Sequence, residues 1–203
     1  MEYLDALNWR FATKEFNDET VSEEDLNDLL EAARLAPGSY NIQPWKIIVT
    51  RDEELLKQLA PVSYNQPQVT TTQCLLTFCA NKDLTDAFAR VKKHLLATGA
   101  SEEDLQGYIQ AVNDLIEGMD AEAQHHFADR QMYIALGNLL SAAALKEIDA
   151  GPMEGLDAQG VADVLGLKDN FVPRAQVALG YRKQDPDQPK FRNPRNAMVE
   201  KRG

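Results

Sequence analysis

Two places far apart in the chain carry positive charge that could hold a small anion. Near the N-terminus, Arg10-Phe11-Ala12-Thr13-Lys14 sets two cations four residues apart, on one face if the stretch is helical. Residues 182–203 hold seven basic residues and three acidic ones, a local +4 that includes Lys190-Phe191-Arg192. This tail is either a solvated end or a source of positive charge for something small and anionic. Read alone, Arg10 is equally a cap on a surface helix, and Lys14 a surface lysine. A third segment, Pro37-Gly38-Ser39-Tyr40-Asn41-Ile42-Gln43-Pro44-Trp45, reads as a loop between a helix and a strand, where binding groups usually sit. Gly38 lets backbone come close to a ligand, and Ser39 and Asn41 carry hydrogen-bonding side chains. Pro-Gly-Ser also suffices as a plain helix stop and turn.

Other chemistries lack their residues. The chain has no GxGxxG fingerprint, no P-loop, no HExxH and no Gly-x-Ser-x-Gly elbow. His125 and His126 are adjacent and point about 100° apart on a helix. With the lone His94, Cys74 and Cys79, they make no metal site. The two cysteines, five apart in an apolar run, face opposite sides of a strand and read as buried thiols in a reducing compartment.

The elements that must position these groups follow from pattern. Ser22 with Asp25 starts a helix whose stripe is Leu26, Leu29, Leu30 and Ala33, stopped by Pro37-Gly38. Trp45–Thr50 reads as a strand, 52–59 as a short helix, 61–67 as turns, and Cys74–Ala80 as a fully apolar central strand. Residues 83–118 read as helix with a break at Thr98-Gly99-Ala100 and a restart at Ser101 and Asp104. Residues 121–146 form the longest helix, apolar nearly all round in its second half. Ala158–Leu165 is a short helix and Gln176–Tyr181 a third strand. Gly151-Pro152-Met153-Glu154-Gly155 reads as a loop. The pattern predicts an α+β fold in a single domain, 1–203, with residues 182–203 an extended tail containing Pro186, Pro189 and Pro194.

The chain of 203 residues has a net charge of −11, which leaves −15 on residues 1–181. So acidic a body repels polyanions and argues against nucleic acid or an anionic membrane as partner. No apolar run reaches the ~18–20 residues needed to span a bilayer, and the N-terminus does not read as a secretory signal. The expected location is the cytoplasm.

The four segments and Asn65-Gln66-Pro67-Gln68, taken in order, resemble the nitroreductase family of FMN-dependent NAD(P)H oxidoreductases. The similarity is to the branch of oxygen-insensitive nitroreductases and quinone and dihydropteridine reductases. The resemblance implies a mixed central sheet flanked by helices, a long buried helix, and an intertwined homodimer with FMN at the interface. It implies that Arg10, Lys190 and Arg192 meet the FMN phosphate, and that Lys14 approaches N1 and O2 of the flavin. Phe11 and Ala12 replace side-chain donors common in relatives, leaving backbone N–H groups. Gly38, Ser39 and Asn41 would reach the flavin held by the partner subunit. Asn65 and Gln68 match positions on the pyrimidine half, and Glu154 and Gly155 those near N5, with Pro152 and Met153 beside them also counted as cofactor-binding. The implied activity is ping-pong hydride transfer from NADH or NADPH through flavin N5 to a nitroaromatic, quinone or similar acceptor, with no catalytic side chain. Within the same resemblance stand a specialised semialdehyde or dihydropteridine reductase and a non-catalytic flavin-binding dimer. Tyr108 and Phe127 are aromatic candidates for an acceptor channel, or core residues.

Overall fold

A computed structural model describes residues 1–202. In chain order the elements are α1 (Tyr3–Trp9), α2 (Glu23–Arg34), a 3-10 turn (Ser39–Asn41), β1 (Trp45–Thr50), α3 (Glu53–Val62), α4 (Pro67–Thr71) and β2 (Cys74–Asn81). They continue with α5 (Leu84–Ala97), α6 (Glu102–Glu117), α7 (Ala121–Leu145), β3 (Asp149–Met153), α8 (Ala158–Leu165), β4 (Phe171–Gly180) and α9 (Arg195–Met198). The fold is α+β, as its pattern of few strands and unalternating helices predicts.

Most helices begin where a short polar side chain can satisfy a free amide. Ser22 accepts from the Asp25 N–H at 3.0 Å, and Asp52, Asp83, Asp120 and Asp157 cap α3, α5, α7 and α8 in the same way. Ser101 and Asp104 form a full capping box at the start of α6. Each such cap is worth about 0.5–2 kcal/mol.

The sheet has the order β1-β2-β4-β3 and all its ladders are antiparallel. A mixed sheet was expected; the parallel component is one isolated bridge, Ala12 to Ala150. Three further expectations are corrected. β3 occupies what reads as a loop, so Pro152 and Met153 lie in a strand, and Pro152 is tolerated there because β3 is a sheet edge. β4 starts at Phe171, five residues earlier than its apolar run. The tail is not wholly extended, since α9 gives it one helical turn.

β2 is buried at all eight positions because helices cover both sheet faces. Leu76 and Phe78 face a large core with Leu29, Met132 and Leu139 from α2 and α7. Leu75 faces a smaller one with Leu59 and Val161 from α3 and α8. Cys74 belongs to the larger core, and Cys79, displaced by a register shift after Phe78, belongs to neither. Burial pushes the Cys79 thiol up to about 12, leaving it inert at neutral pH. No helix among the described residues is long and apolar enough to cross a membrane.

Candidate functional site

The edge of β3 assembles most of the predicted groups. After α1 ends at Trp9, Arg10 is already extended, so residues 10–14 are not helical as the spacing suggested. Ala12 bridges to Ala150, and the Thr13 N–H donates to the Ala150 carbonyl at 3.3 Å. Arg10, Ala12 and Lys14 share a face through the period of two of extended chain rather than a helical turn. On the opposite side Thr13 is buried. Gly151 is required here: a Cβ on it would lie 2.5 Å from the Thr13 carbonyl oxygen and 3.4 Å from the Gln68 side chain. Glycine therefore lets three segments meet.

Gln68, the second residue of α4, is 1% exposed, and its Oε1 is buried with no hydrogen-bond partner. Its neighbour Gln66 donates from Nε2 to the Gly155 carbonyl at 2.6 Å and so ties the Asn65 loop to Glu154 and Gly155. Glu154 lies one residue past the Met153–Gln176 pair. Burial, with Glu154 next in importance, holds the Tyr133 hydroxyl of α7 well above the usual phenol range.

The sequence reading missed the pair that fixes this edge. Asp149, the first residue of β3 and 3% exposed, accepts from Thr13 Oγ1 at 2.9 Å and from the Arg182 N–H at 2.8 Å. Arg182 Nε donates to both carboxylate oxygens at 2.9 and 3.0 Å. Arg182 Nη2 is only 2.7 Å from Oδ1 but is not aligned to donate. The guanidinium lies 4.3 Å from the centre of the Trp9 ring. One buried carboxylate thus joins the N-terminal segment, β3 and the tail. Asp149 stands among 32 acidic residues with no spacing to single it out.

Beyond Arg182 the tail runs back along residues 11–15. Between them lies a cleft of about 480 Å³ whose walls include Ala12, Lys14, Asp185 and Pro186. At its far end Lys190 donates to the Leu7 carbonyl and sits 5.3 Å from the centre of the Phe11 ring. Lys190 and Arg10 are both held below their ordinary pKa, first by burial. Arg192 adds repulsion at Arg10, and Arg10 and Arg192 add it at Lys190. The three cations are close enough to repel, and none has an ion-pair partner among the described residues.

The Gly38–Asn41 loop is not brought to this edge. The Ser39 N–H donates to Gln131 Oε1 of α7 at 2.8 Å, and Gln131 and Tyr133 point to nearly opposite sides of that helix. The Tyr108 hydroxyl of α6 donates to the Tyr40 carbonyl. Tyr108 also packs edge-on against Phe88 at 5.5 Å, and Phe127 is core. Tyr40, Asn41 and Gln43 here, and Tyr64 and Asn65 in the other candidate loop, all have φ near +50°. Such residues cost of order 1–3 kcal/mol each and cluster where function fixes the backbone.

Comparison with known proteins identifies the family and the fold. The nitroreductase family model matches residues 7–181. A Staphylococcus haemolyticus protein named a putative NAD(P)H nitroreductase is 34% identical, covering 97% of this chain and 95% of its own. The nitroreductase family protein of Streptococcus pneumoniae has a TM-score of 0.87 at 27% identity, over 99% of this chain and 100% of that one. An Exiguobacterium sibiricum protein named a putative nitroreductase and solved with FMN shares the fold, with a TM-score of 0.88 at 23% identity over 100% and 98% of the two chains. The chain belongs to the nitroreductase family of oxidoreductases.

Proposed function

We propose that the chain is an FMN-dependent NAD(P)H oxidoreductase that reduces nitroaromatics, quinones or similar electrophilic acceptors, working as a homodimer. The observation that carries this reading is the meeting of Arg10, Lys190 and Arg192 with no carboxylate among them, which fits a phosphate dianion. The residues present also fit the rest of the cofactor. The open acceptor Gln68 Oε1 suits a ring N–H, which the flavin pyrimidine has, and the side chains at residues 11 and 12 leave the backbone free to donate.

In this reading Lys14 supplies fixed positive charge at the pyrimidine edge, and Asn65 and Gln68 hold its polar atoms. Pro152, Met153, Glu154 and Gly155 bound the N5 side, where backbone N–H groups orient the ring. Gly38, Ser39 and Asn41 serve the site of a second copy, in keeping with their place across α7 from Tyr133. Bound FMN supplies the hydride-transfer centre, so no protein nucleophile or dedicated base is needed.

Two tests follow. The purified protein is expected to carry FMN, and its flavin absorbance to bleach anaerobically on addition of NADH or NADPH. A colourless protein that takes up no FMN overturns the cofactor assignment; a bound flavin that neither nucleotide bleaches overturns the enzymatic one. Steady-state rates across a nitroaromatic, a quinone, a semialdehyde and a dihydropteridine then identify the acceptor. Separately, Gln68→Lys is expected to raise the flavin midpoint potential, because a partly desolvated ammonium favours the more negative, reduced ring. An unchanged potential in a dye-coupled redox titration counts against the placement of Gln68.

A further inference from the structure

A cleft of about 570 Å³ lies at the other edge of the sheet, between the end of α2, the start of β1 and one face of α5. It belongs to none of the groups assembled on β3. Two strands separate β1 from β3, about 14 Å at ~4.8 Å per strand.

Its lining is unusual for this protein. Four other clefts each contain at least one carboxylate, for example Glu15 and Asp185, Glu19 and Glu53, Asp129, or Asp163 and Asp169. In a chain of net charge −11 that is the expected condition. This cleft has no acidic residue and is rimmed by Arg34, Arg90 and His94. Arg34 is tied to Glu31 by two hydrogen bonds of 2.7 Å. Arg90 is held loosely: its nearest acid, Asp86, is 3.7 Å away, and that carboxylate already accepts from Asn81. Arg90 and His94 are four apart on α5, so both overhang the same opening.

Beneath the cations the wall is apolar. Val91 and Leu95 continue the same face of α5, and the half-buried Trp45 offers a flat indole. Half-buried rather than covered, these groups gain from an apolar partner. A cationic rim over an aliphatic and aromatic floor matches a flat ring that carries an anion at one end. The protein's negative field disfavours such a ligand almost everywhere else.

We propose that this cleft is a binding site for a small aromatic anion, with the ring against Trp45, Val91 and Leu95 and the anionic group at Arg90. An aromatic carboxylate and the adenosine phosphate end of a nucleotide share that chemistry. The cleft shares Asn41 with the loop proposed to serve the flavin of a second copy, but its cations and its apolar floor are other residues, so retention and bleaching of FMN are read separately from binding here.

The test titrates FMN-loaded protein with benzoate, with adenosine 2′-phosphate and with neutral benzamide, followed by calorimetry and by shifts of amide signals from α5. The expected result is binding of at least one anion, with benzamide at least tenfold weaker. Arg90→Glu is expected to weaken that anion at least tenfold, the loss of one charge-assisted contact. Lys93→Glu makes the same charge change at a residue outside the cleft and is expected to have less than a twofold effect. Response to benzoate identifies a carboxylate ligand, and response to adenosine 2′-phosphate alone a nucleotide one. The proposal is overturned if neither anion binds, if benzamide binds equally, or if the two charge reversals act alike. Arg90 is about half exposed, so its replacement leaves the fold intact.

Discussion

Replacing Lys190 and Arg192 together by alanine is expected to weaken FMN binding by roughly a hundred- to ten-thousand-fold. Each removes a hydrogen bond to a charged group, worth about 1.5–3 kcal/mol, and tenfold in affinity is about 1.4 kcal/mol. The loss should appear as colourless protein after gel filtration and as a fluorescence titration with a raised Kd. Apoprotein stability should move little, by about 0.5 kcal/mol or less. Arg192 is exposed, and relief of repulsion on Arg10 offsets the loss of the Lys190 hydrogen bond to the Leu7 carbonyl. That pairing of effects is diagnostic, because a tail with a merely structural role would lower the melting temperature of the apoprotein instead. Retention of FMN at wild-type affinity would remove the basis for assigning the three cations to a phosphate.

Asp149→Ala is expected to do the reverse and damage the fold first. Its carboxylate is buried with the Arg182 guanidinium, whose side chain is 15% exposed. Removing one member of a buried ion pair costs about 3–5 kcal/mol, since the other charge remains without compensation. At about 2–4 °C per kcal/mol for a domain of this size, the apoprotein should melt roughly 6–20 °C lower. FMN affinity should fall as well, because Thr13 loses its anchor and residues 10–14 lose their register against β3. Asp149→Asn keeps an acceptor for Thr13 Oγ1 and the Arg182 N–H but not the charge, and should fall between the two. Thermal unfolding of the three proteins measures this; a shift under about 2 °C for Asp149→Ala would show that the pair contributes nothing net.

These two cases also show what the sequence carries. β2 is legible because an unbroken apolar run suits a strand covered on both faces, β1 because Ile47-Ile48-Val49-Thr50 is a β-branched run, and α2 and α6 because their caps are explicit. β3 is not, because Asp-Ala-Gly-Pro-Met has the glycine and proline of a turn. Its strand conformation comes from its neighbour β4 and from the close approach that Gly151 permits. α1 follows Glu2, which makes no side-chain cap, and runs for only seven residues, too short to show a period. Arg10 and Lys14 do share a face, but the interval of four serves a period of two as well as one of 3.6. Spacing alone cannot separate them. The convergence of both chain ends is legible only through resemblance, since nothing local to residue 190 points to residue 7. Asp149 was invisible for the same reason: its partners, Thr13 and Arg182, are 136 and 33 residues away.

The meeting of Arg10 with Lys190 and Arg192 has a consequence for how the protein is made. Synthesis proceeds from the N-terminus, so Arg10, one wall of the proposed phosphate site, is made long before Lys190 and Arg192, the other. Both hydrophobic cores are complete by Leu179, before either tail cation has been added. A nascent chain can therefore collapse around its sheet while still unable to hold an anion between its ends. On the proposed assignment, a chain cut between Arg182 and Lys190 would keep the Asp149–Arg182 pair and both cores yet bind no FMN.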